Sequence, residues 1–340
     1  MLNTLHGGPD ARGAARYDFS TNSNACGPCP HTLAAVQQAD ATRYPDPAYT
    51  ALRAELAALH SVVPERIVLA ASASECIHRI TAWAAQRGVR AVALPAHSYG
   101  DYAQAAQARG LRLLRPADAG YTAAGLHWTC EPSSPLGGAD PVLAAWLSAA
   151  PAASAPVRVL DCAYRPLRLH TGHAFDPADI AISPTAWQLW TPNKALGLTG
   201  VRAAYAIAPP GAEADVAALN ALAPSWPVGA HGVAMLHSWT TPTTQRWLAD
   251  CLPVLRDWKA RQQTLCEELG WTVLPASQAN YFCARLPLPL SDLHAALQQL
   301  REPHGIQLRD CISFGLPGVV RMGVLPPAAQ EALRRAWWGR

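Results

Sequence analysis

The sequence predicts an α/β protein: a large domain whose mostly parallel sheet is flanked by helices, then a smaller C-terminal α/β domain. Three observations carry that expectation. Short apolar runs alternate with stretches of helical apolar spacing from about residue 50 to residue 207, the pattern of parallel strands joined by crossover helices. Polar, chemically capable residues fall where those runs end, at the carboxyl edge on which such sheets build their sites. A proline-rich stretch, 208–227, then separates this pattern from a helical region and a second, smaller set of strands and helices. At 340 residues, half of them hydrophobic and 12 of them Trp, the chain has material for more than one core.

Taken in order, residues 1–45 are rich in Gly, Pro, Asn and Ser and read as an irregular arm. Leu52, Leu56 and Leu59 predict a helix from Ala48 to Leu59. Arg66–Ala71 is a strand that runs into Ser72-Ala73-Ser74-Glu75, after which Cys76, Ile77, Ile80 and Trp83 continue as a helix. Small residues at such a junction leave amides unpaired at the positive end of a helix dipole, which suits an anion. The amides of Ala73 and Ser74 and the Ser74 hydroxyl are therefore candidate phosphate ligands, although an ordinary capped helix looks the same. Further strands are expected at Arg90–Leu94 and Leu126–Cys130, the second leading into Glu131-Pro132-Ser133-Ser134-Pro135-Leu136-Gly137. Arg158-Val159-Leu160-Asp161 is an apolar strand with an acid at its end, and a buried carboxylate is costly unless a cation meets it.

Beyond Arg202–Ile207, another strand, residues 231–269 read as largely helical, with Leu248, Leu252, Leu255 and Trp258 on one face. Pro242 and Pro253 are expected to break or kink that run, and Lys259 to face solvent. Strands near 271–274, 280–284 and 319–324, with helices over 291–301 and from Pro327, complete the smaller unit. The division expected is an arm (1–45) packing on the small domain and the active site, a large domain (46–230), and a long connecting helix with the small domain (231–340).

Composition excludes several partners. The net charge is only +3 and no basic stripe alternates with aromatics, which argues against nucleic acid. Apolar runs fall short of the roughly 18 residues of a membrane span, and Met1–Gly8 lacks a basic-then-apolar leader. Nine scattered cysteines suit reduced thiols and a cytoplasmic enzyme, not a disulfide framework. Cys26-Gly27-Pro28-Cys29 has a redox spacing but follows a polar, turn-rich stretch, so a loop is expected. No further ligands stand at zinc spacing, and no metal site is expected.

The chemistry is expected in Trp187-Gln188-Leu189-Trp190-Thr191-Pro192-Asn193-Lys194-Ala195-Leu196-Gly197-Leu198-Thr199-Gly200-Val201-Arg202. Lys194 is one of only two lysines among 27 Lys and Arg residues. An amine loses its proton at an accessible pH and forms a Schiff base with an aldehyde; a guanidinium does neither. With Thr191 three residues before, a Gly-Leu-Thr-Gly turn after and Arg202 eight residues on, this stretch resembles the lysine segment of fold-type I pyridoxal-phosphate enzymes. Those are the class I/II aminotransferases, here their histidinol-phosphate aminotransferase and threonine-phosphate decarboxylase branch. The other matches follow in family order: His6-Gly7-Gly8, Asp18–Asn24, Arg43-Tyr44-Pro45, the small-residue turn at Ser72, Tyr99-Gly100-Asp101, the Pro132–Gly137 loop, Asp161-Cys162-Ala163-Tyr164, Gly305–Asp310 and Val319–Val324.

The resemblance implies an aspartate-aminotransferase-like fold, pyridoxal 5'-phosphate in the large domain, a small-molecule amine substrate and a homodimer with a shared active site. It implies catalytic roles for Lys194, Asp161 and Tyr164. Ala73, Ser74, Thr191 and Arg202 would hold the cofactor phosphate, joined by Tyr44 from the partner subunit, while Asp161 pairs with the pyridine nitrogen. Tyr99, or alternatively His97, would stack on the ring. Tyr164 would face the ring oxygen, where Ser134 replaces the asparagine usual in the family. Arg321 and Arg309, with Asn22 and His6, would bind substrate. Transamination of a phosphorylated or anionic amino compound is the first expectation and threonine-phosphate decarboxylation, in cobalamin biosynthesis, the second. A degenerate cofactor-binding protein is the third, because Ser134 and the turn at Ser72 depart from the family pattern.

Overall fold

The computed structural model describes residues 6–140, 142, 143, 146, 155–169 and 185–339. Met1–Leu5, read above for a leader, lie outside them. The arm carries a two-residue strand β1 (Tyr17–Asp18) and a helix α1 (Pro30–Gln37). Helix α2 (Thr50–Leu59) then precedes β2 (Ile67–Ala70), α3 (Ala73–Gln86), β3 (Ala91–Ala93), α4 (Gly100–Gln107), β4 (Arg112–Leu114), β5 (Leu126–Cys130), β6 (Val157–Asp161), β7 (Ala186–Trp190) and β8 (Ala204–Ile207). Helices α5 (Glu213–Ala221), α6 (Ala230–Trp239) and α7 (Pro242–Glu268) follow. The chain ends with β9 (Thr272–Val273), β10 (Tyr281–Arg285), α8 (Leu290–Arg301), β11 (Ile306–Gln307), β12 (Arg309–Asp310), β13 (Val319–Gly323) and α9 (Pro327–Trp338).

Seven strands form one sheet in the order β2-β8-β7-β6-β5-β3-β4. Pairings from β4 through β7 are parallel, and β8 runs antiparallel to both β7 and β2. This is the mostly parallel α/β sheet expected, with a single reversed strand. Strands β5 and β7 are buried along their full length, and β6 between them over its last three residues, which is why they read as apolar runs. Register sets Cys130, Asp161 and Leu189 side by side, so β5, β6 and β7 all end on one edge. One face of the sheet packs on α3 and α4 through Ile77, Ile80 and Tyr102; the other buries Leu52, Leu56, Met235 and Trp239 of α2 and α6.

The second sheet is antiparallel, β12-β13-β10-β9, and its core takes in α8, α9 and the last turns of α7. A single helix serves both cores: Leu248, Leu252 and Leu255 of α7 enter the first, Leu265 and Cys266 the second. The arm reaches the smaller unit through parallel pairing of β1 with β11.

The helical run 231–269 breaks at Pro242 as expected, into two helices, with Thr241 capping α7 and Pro242 starting it. Three expectations need correction. The arm is not wholly irregular: α1 forms with Pro30 in its first turn, and its buried Thr32 hydroxyl bonds Ser238 of α6 at 2.8 Å. Pro253 neither ends nor replaces α7; packing of Leu252 and Leu255 outweighs the one helix hydrogen bond a proline removes. Lys259 does not face solvent. It is buried, and its Nζ donates to the carbonyls of Ser277 (2.7 Å) and Ala279 (2.8 Å) and the Ser277 hydroxyl (3.1 Å).

Candidate active site

A cavity of about 850 Å³ opens at the carboxyl ends of β2, β5, β6 and β7, closed over by the arm and the smaller sheet. Asp161 lies on its floor at the end of β6, 4% exposed. Its Oδ1 accepts the Ala163 amide at 2.9 Å and its Oδ2 accepts the Tyr102 hydroxyl at 2.6 Å. Burial pushes the Asp161 carboxyl up from its ordinary value, and the Tyr102 hydroxyl, the Ala163 amide and the Lys194 charge pull it back. Tyr102 is itself fixed by stacking on Trp128, with centroids 4.8 Å apart and planes 11° from parallel.

Lys194 stands in the loop after β7, its Nζ 5.2 Å from the centre of the Tyr164 ring. The arm grips this loop by backbone: the Asn24 amide donates to the Lys194 carbonyl at 2.9 Å, and the Cys29 amide to Leu196 at 2.8 Å. Asn24 Nδ2 adds a bond to the Ala195 carbonyl at 2.9 Å. Gly197 permits that approach, for a Cβ there would run into the Gly27 carbonyl at 2.5 Å, and its φ is +70°. The Cys-Gly-Pro-Cys stretch is thus a loop clamped over Lys194, as expected. Cys26 lies beside Cys251 of α7, while Cys29 is buried at the start of α1.

At the other end of the cavity Ser72 caps α3, accepting the Glu75 amide at 3.1 Å, so Ala73 and Ser74 present the first turn of the helix to the cavity. The Ser74 hydroxyl donates to the buried Asp101 carboxylate and lies 3.3 Å from the Tyr99 hydroxyl. Thr191 donates to Asn193 Oδ1 at 2.8 Å, and Thr191 and the exposed Arg202 line the same end. Tyr99 lines the cavity, with the His6 ring tilted against it at 5.9 Å, whereas His97 turns its Nδ1 to the Phe314 carbonyl at 2.7 Å.

The remaining wall comes from the smaller sheet. Arg321 and Arg309 sit opposite each other on β13 and β12, both buried. Arg321 donates to the Ser20 carbonyl at 3.1 Å and approaches the Ser134 hydroxyl at 3.5 Å, and its buried Nε has no protein partner. Arg309 donates to the Ser313 hydroxyl at 2.7 Å; burial and the neighbouring Arg321 charge push its pKa down. Asn22 Nδ2 donates to the Tyr164 hydroxyl at 3.3 Å, leaving its Oδ1 buried and unpartnered.

Tyr44 lies outside the cavity. It is 77% exposed and stacks on the half-exposed Trp226 at 4.3 Å. Sequence reasoning missed Tyr102 and Asp101. Tyr102 had a signal, since it stands three residues after Tyr99 and shares a face with it once the segment is helical.

The family profile described as Aminotransferase class I and II matches residues 16–336. The chain belongs to that family. It is accordingly a pyridoxal-phosphate-dependent transferase. The chain is 26% identical to a histidinol-phosphate aminotransferase of Jannaschia sp. (strain CCS1) over 325 residues, 91% of this chain and 87% of that one. Among solved structures it resembles histidinol-phosphate aminotransferase from Sinorhizobium meliloti in complex with pyridoxal-5'-phosphate, with a TM-score of 0.77, 22% identity and coverage of 96% and 90%. L-threonine-O-3-phosphate decarboxylase from Porphyromonas gingivalis superposes nearly as well, with a TM-score of 0.76, 22% identity and coverage of 94% and 98%.

Proposed function

We propose that the protein transfers the amino group of a small phosphorylated or anionic amino compound, in the manner of histidinol-phosphate aminotransferases, using pyridoxal phosphate held on Lys194. One observation carries the reading: an amine and a buried carboxylate share a cavity whose far wall holds two buried arginines. The residues fit the cofactor. Asp161, which no arginine of the chain pairs within salt-bridge distance among the described residues, suits a protonated ring nitrogen, and the α3 amides with Thr191 and Arg202 suit its phosphate. When bound, the cofactor supplies an electron sink for the bond that breaks at the substrate Cα.

The chain's own groups do the rest. Asp161 would favour a positive charge on the ring side of the cavity, and its hydrogen bonds from Tyr102 and Ala163 oppose the upward push of burial on its carboxyl. Lys194 Nζ would hold the cofactor and would take up or return the proton at the substrate Cα. Tyr164, Ser134 and Tyr99 orient the ring. Arg321, whose unpartnered Nε faces an anion-sized need, takes the substrate carboxylate; Arg309, His6 and Asn22 take its distal end. With the carboxylate held by Arg321, the Cα–H bond would be the one left to break, with Lys194 taking the proton, which gives transamination.

A second reading is threonine-phosphate decarboxylation of cobalamin biosynthesis. It is favoured by His6 and Arg309 reaching the same cavity, since a substrate phosphate there frees the carboxylate to stand perpendicular. A degenerate cofactor-binding protein is third, resting on Ser134 and the turn at Ser72.

The arm (1–45), large domain (46–230), and connecting helix with small domain (231–340) are proposed as the functional units. The exposed Tyr44–Trp226 pair supports a homodimer in which Tyr44 serves the partner's site. Nine free cysteines support a cytoplasmic setting. Neither nucleic acid nor membrane is proposed as a partner; no described helix is long and apolar enough to cross a membrane. The test is an assay of purified holoenzyme with histidinol phosphate and with threonine phosphate, following glutamate formed from 2-oxoglutarate against carbon dioxide. Glutamate supports the first reading, carbon dioxide without glutamate replaces it by the second, and binding without turnover leaves the third.

A further inference from the structure

Lys259 makes no contact with the cavity, yet it is the only lysine besides Lys194 in a chain that otherwise writes its cations as arginine. Its place in the fold is the junction of the two cores. On α7, Leu255 one turn before it packs in the first core and Leu265 after it in the second. The three protons of an ammonium meet three acceptors, the Ser277 carbonyl, the Ser277 hydroxyl and the Ala279 carbonyl, at 2.7, 3.1 and 2.8 Å. A planar guanidinium cannot serve such a tripod. Gln262, the next residue on that face, holds the second crossing chain, donating to the Gly323 carbonyl and accepting the Leu325 amide, each at 3.0 Å.

The segment that Lys259 holds leads directly to the substrate side of the site. The Gln278 amide donates to the Gly137 carbonyl at 2.7 Å, and the Gly137 amide to Ser133 at 2.6 Å. Gly137 has φ +76°, and a Cβ there would strike the Ser277 hydroxyl and the Tyr281 ring. Tyr281 in turn donates its hydroxyl to the Ser133 carbonyl at 2.8 Å and lies under both Tyr164 and Arg321, with centroid distances of 4.7 and 5.6 Å. Two segments distant in sequence, 131–138 and 275–281, are thus locked to one another with Lys259 at their back.

We propose that Lys259 is a positioning residue whose ammonium fixes the 275–281 segment, and through it the loop carrying Ser134, against Arg321 on the substrate wall. No charged group acts on it among the described residues, and burial pushes its pKa down to about 8. A methionine of the same length would fill the space without burying a charge, but it would leave the Ser277 and Ala279 carbonyls without this donor. What the amine supplies is geometry at the one place where the helix passes from one core to the other.

The inference rests on the aminotransferase reading only in assigning Arg321 to substrate. Holoenzyme of wild type, Lys259→Met and Lys259→Arg is compared by visible absorbance, melting temperature, amide hydrogen exchange, and kcat and KM for the amine that the wild type turns over. In Lys259→Met the colour stays, and any fall in melting temperature comes without faster exchange outside the two segments. Amide exchange speeds up about tenfold or more in 131–138 and 275–281 alone, and KM rises several-fold with kcat within about twofold. Lys259→Arg keeps the charge, loses the tripod and shows the same local loosening. Unchanged exchange in both segments overturns the proposal. So does a lowered melting temperature with faster exchange throughout, which is the mark of a merely structural lysine, or an Arg variant indistinguishable from wild type. A colourless wild type would instead overturn the cofactor reading, and the exchange result would stand apart from it.

Discussion

The floor of the cavity and its far wall are built by different rules. On the floor, Asp161 and Tyr102 each have partners already set within the chain, and both rest on buried strands or helices of the large sheet. On the wall, Arg321 has a buried nitrogen with no partner, and Ser134 sits on a loop whose position depends on a second loop behind it. A satisfied group is committed to one geometry, whereas an orphaned buried donor costs free energy until something fills it. The floor is therefore suited to chemistry that never changes, and the wall to a substrate that arrives and leaves.

That contrast is broken most directly at Lys194. Replacing it with Ala removes the proposed covalent anchor and proton carrier together, and we expect visible absorbance to vanish and kcat to fall by about 1,000-fold or more. Retained colour on stopped-flow mixing with pyridoxal phosphate would place the attachment elsewhere. Asp161→Asn keeps the shape of the floor and removes its charge. The expected loss is about 100-fold to 1,000-fold in kcat with KM little changed, because the group acts on the reacting ring and not on substrate binding. A change confined to KM would move Asp161 from the floor to the wall.

Arg321→Met should show the opposite signature. Loss of a charge-assisted pair at a carboxylate is worth roughly 100-fold, and it belongs in KM, with the visible spectrum untouched. If the spectrum shifts as well, Arg321 serves the cofactor and the wall has been misread.

The floor was legible in the sequence and the wall only in outline, for a physical reason. Strand ends advertise themselves: Asp161 closes an apolar run, and Lys194 follows another. Short-range rules of burial and capping suffice to find such residues, and the same rules placed α3, β2, β3, β5, β6, β8, β9, β10 and β13 within a residue or two, while the short β1, β4, β11 and β12 and the strand β7 before Lys194 were not marked as strands. The contacts of the wall are long-range. Lys259 bonds to residues 18 and 20 positions away, and Tyr281 to one 148 away, so no local pattern distinguished a buried lysine from a solvated one. Tyr102 lay between these cases. Its spacing from Tyr99 was visible, but its target, 59 positions on, was not.

The finest test of the comparison is Tyr102→Phe, which removes one hydroxyl from the floor and leaves the stack on Trp128 in place. The Tyr102 hydroxyl favours the ionised Asp161, so its loss pushes the carboxyl further above the ordinary 3.8. A carboxyl raised on folding stabilises the protein below its unfolded value, and that contribution is lost as pH rises through the folded value. Removing the hydroxyl deepens this loss. The melting-temperature difference between wild type and variant should then be smallest at acid pH, below the ordinary 3.8, and grow toward neutrality. A charged hydrogen bond is worth about 2 kcal/mol, so a roughly 30-fold weakening of cofactor binding should follow at neutral pH. Apoprotein melting curves read the first effect without any bound cofactor. A difference that is the same at every pH would mean that Tyr102 contributes packing alone, and the floor would then be no more charge-tuned than the wall opposite.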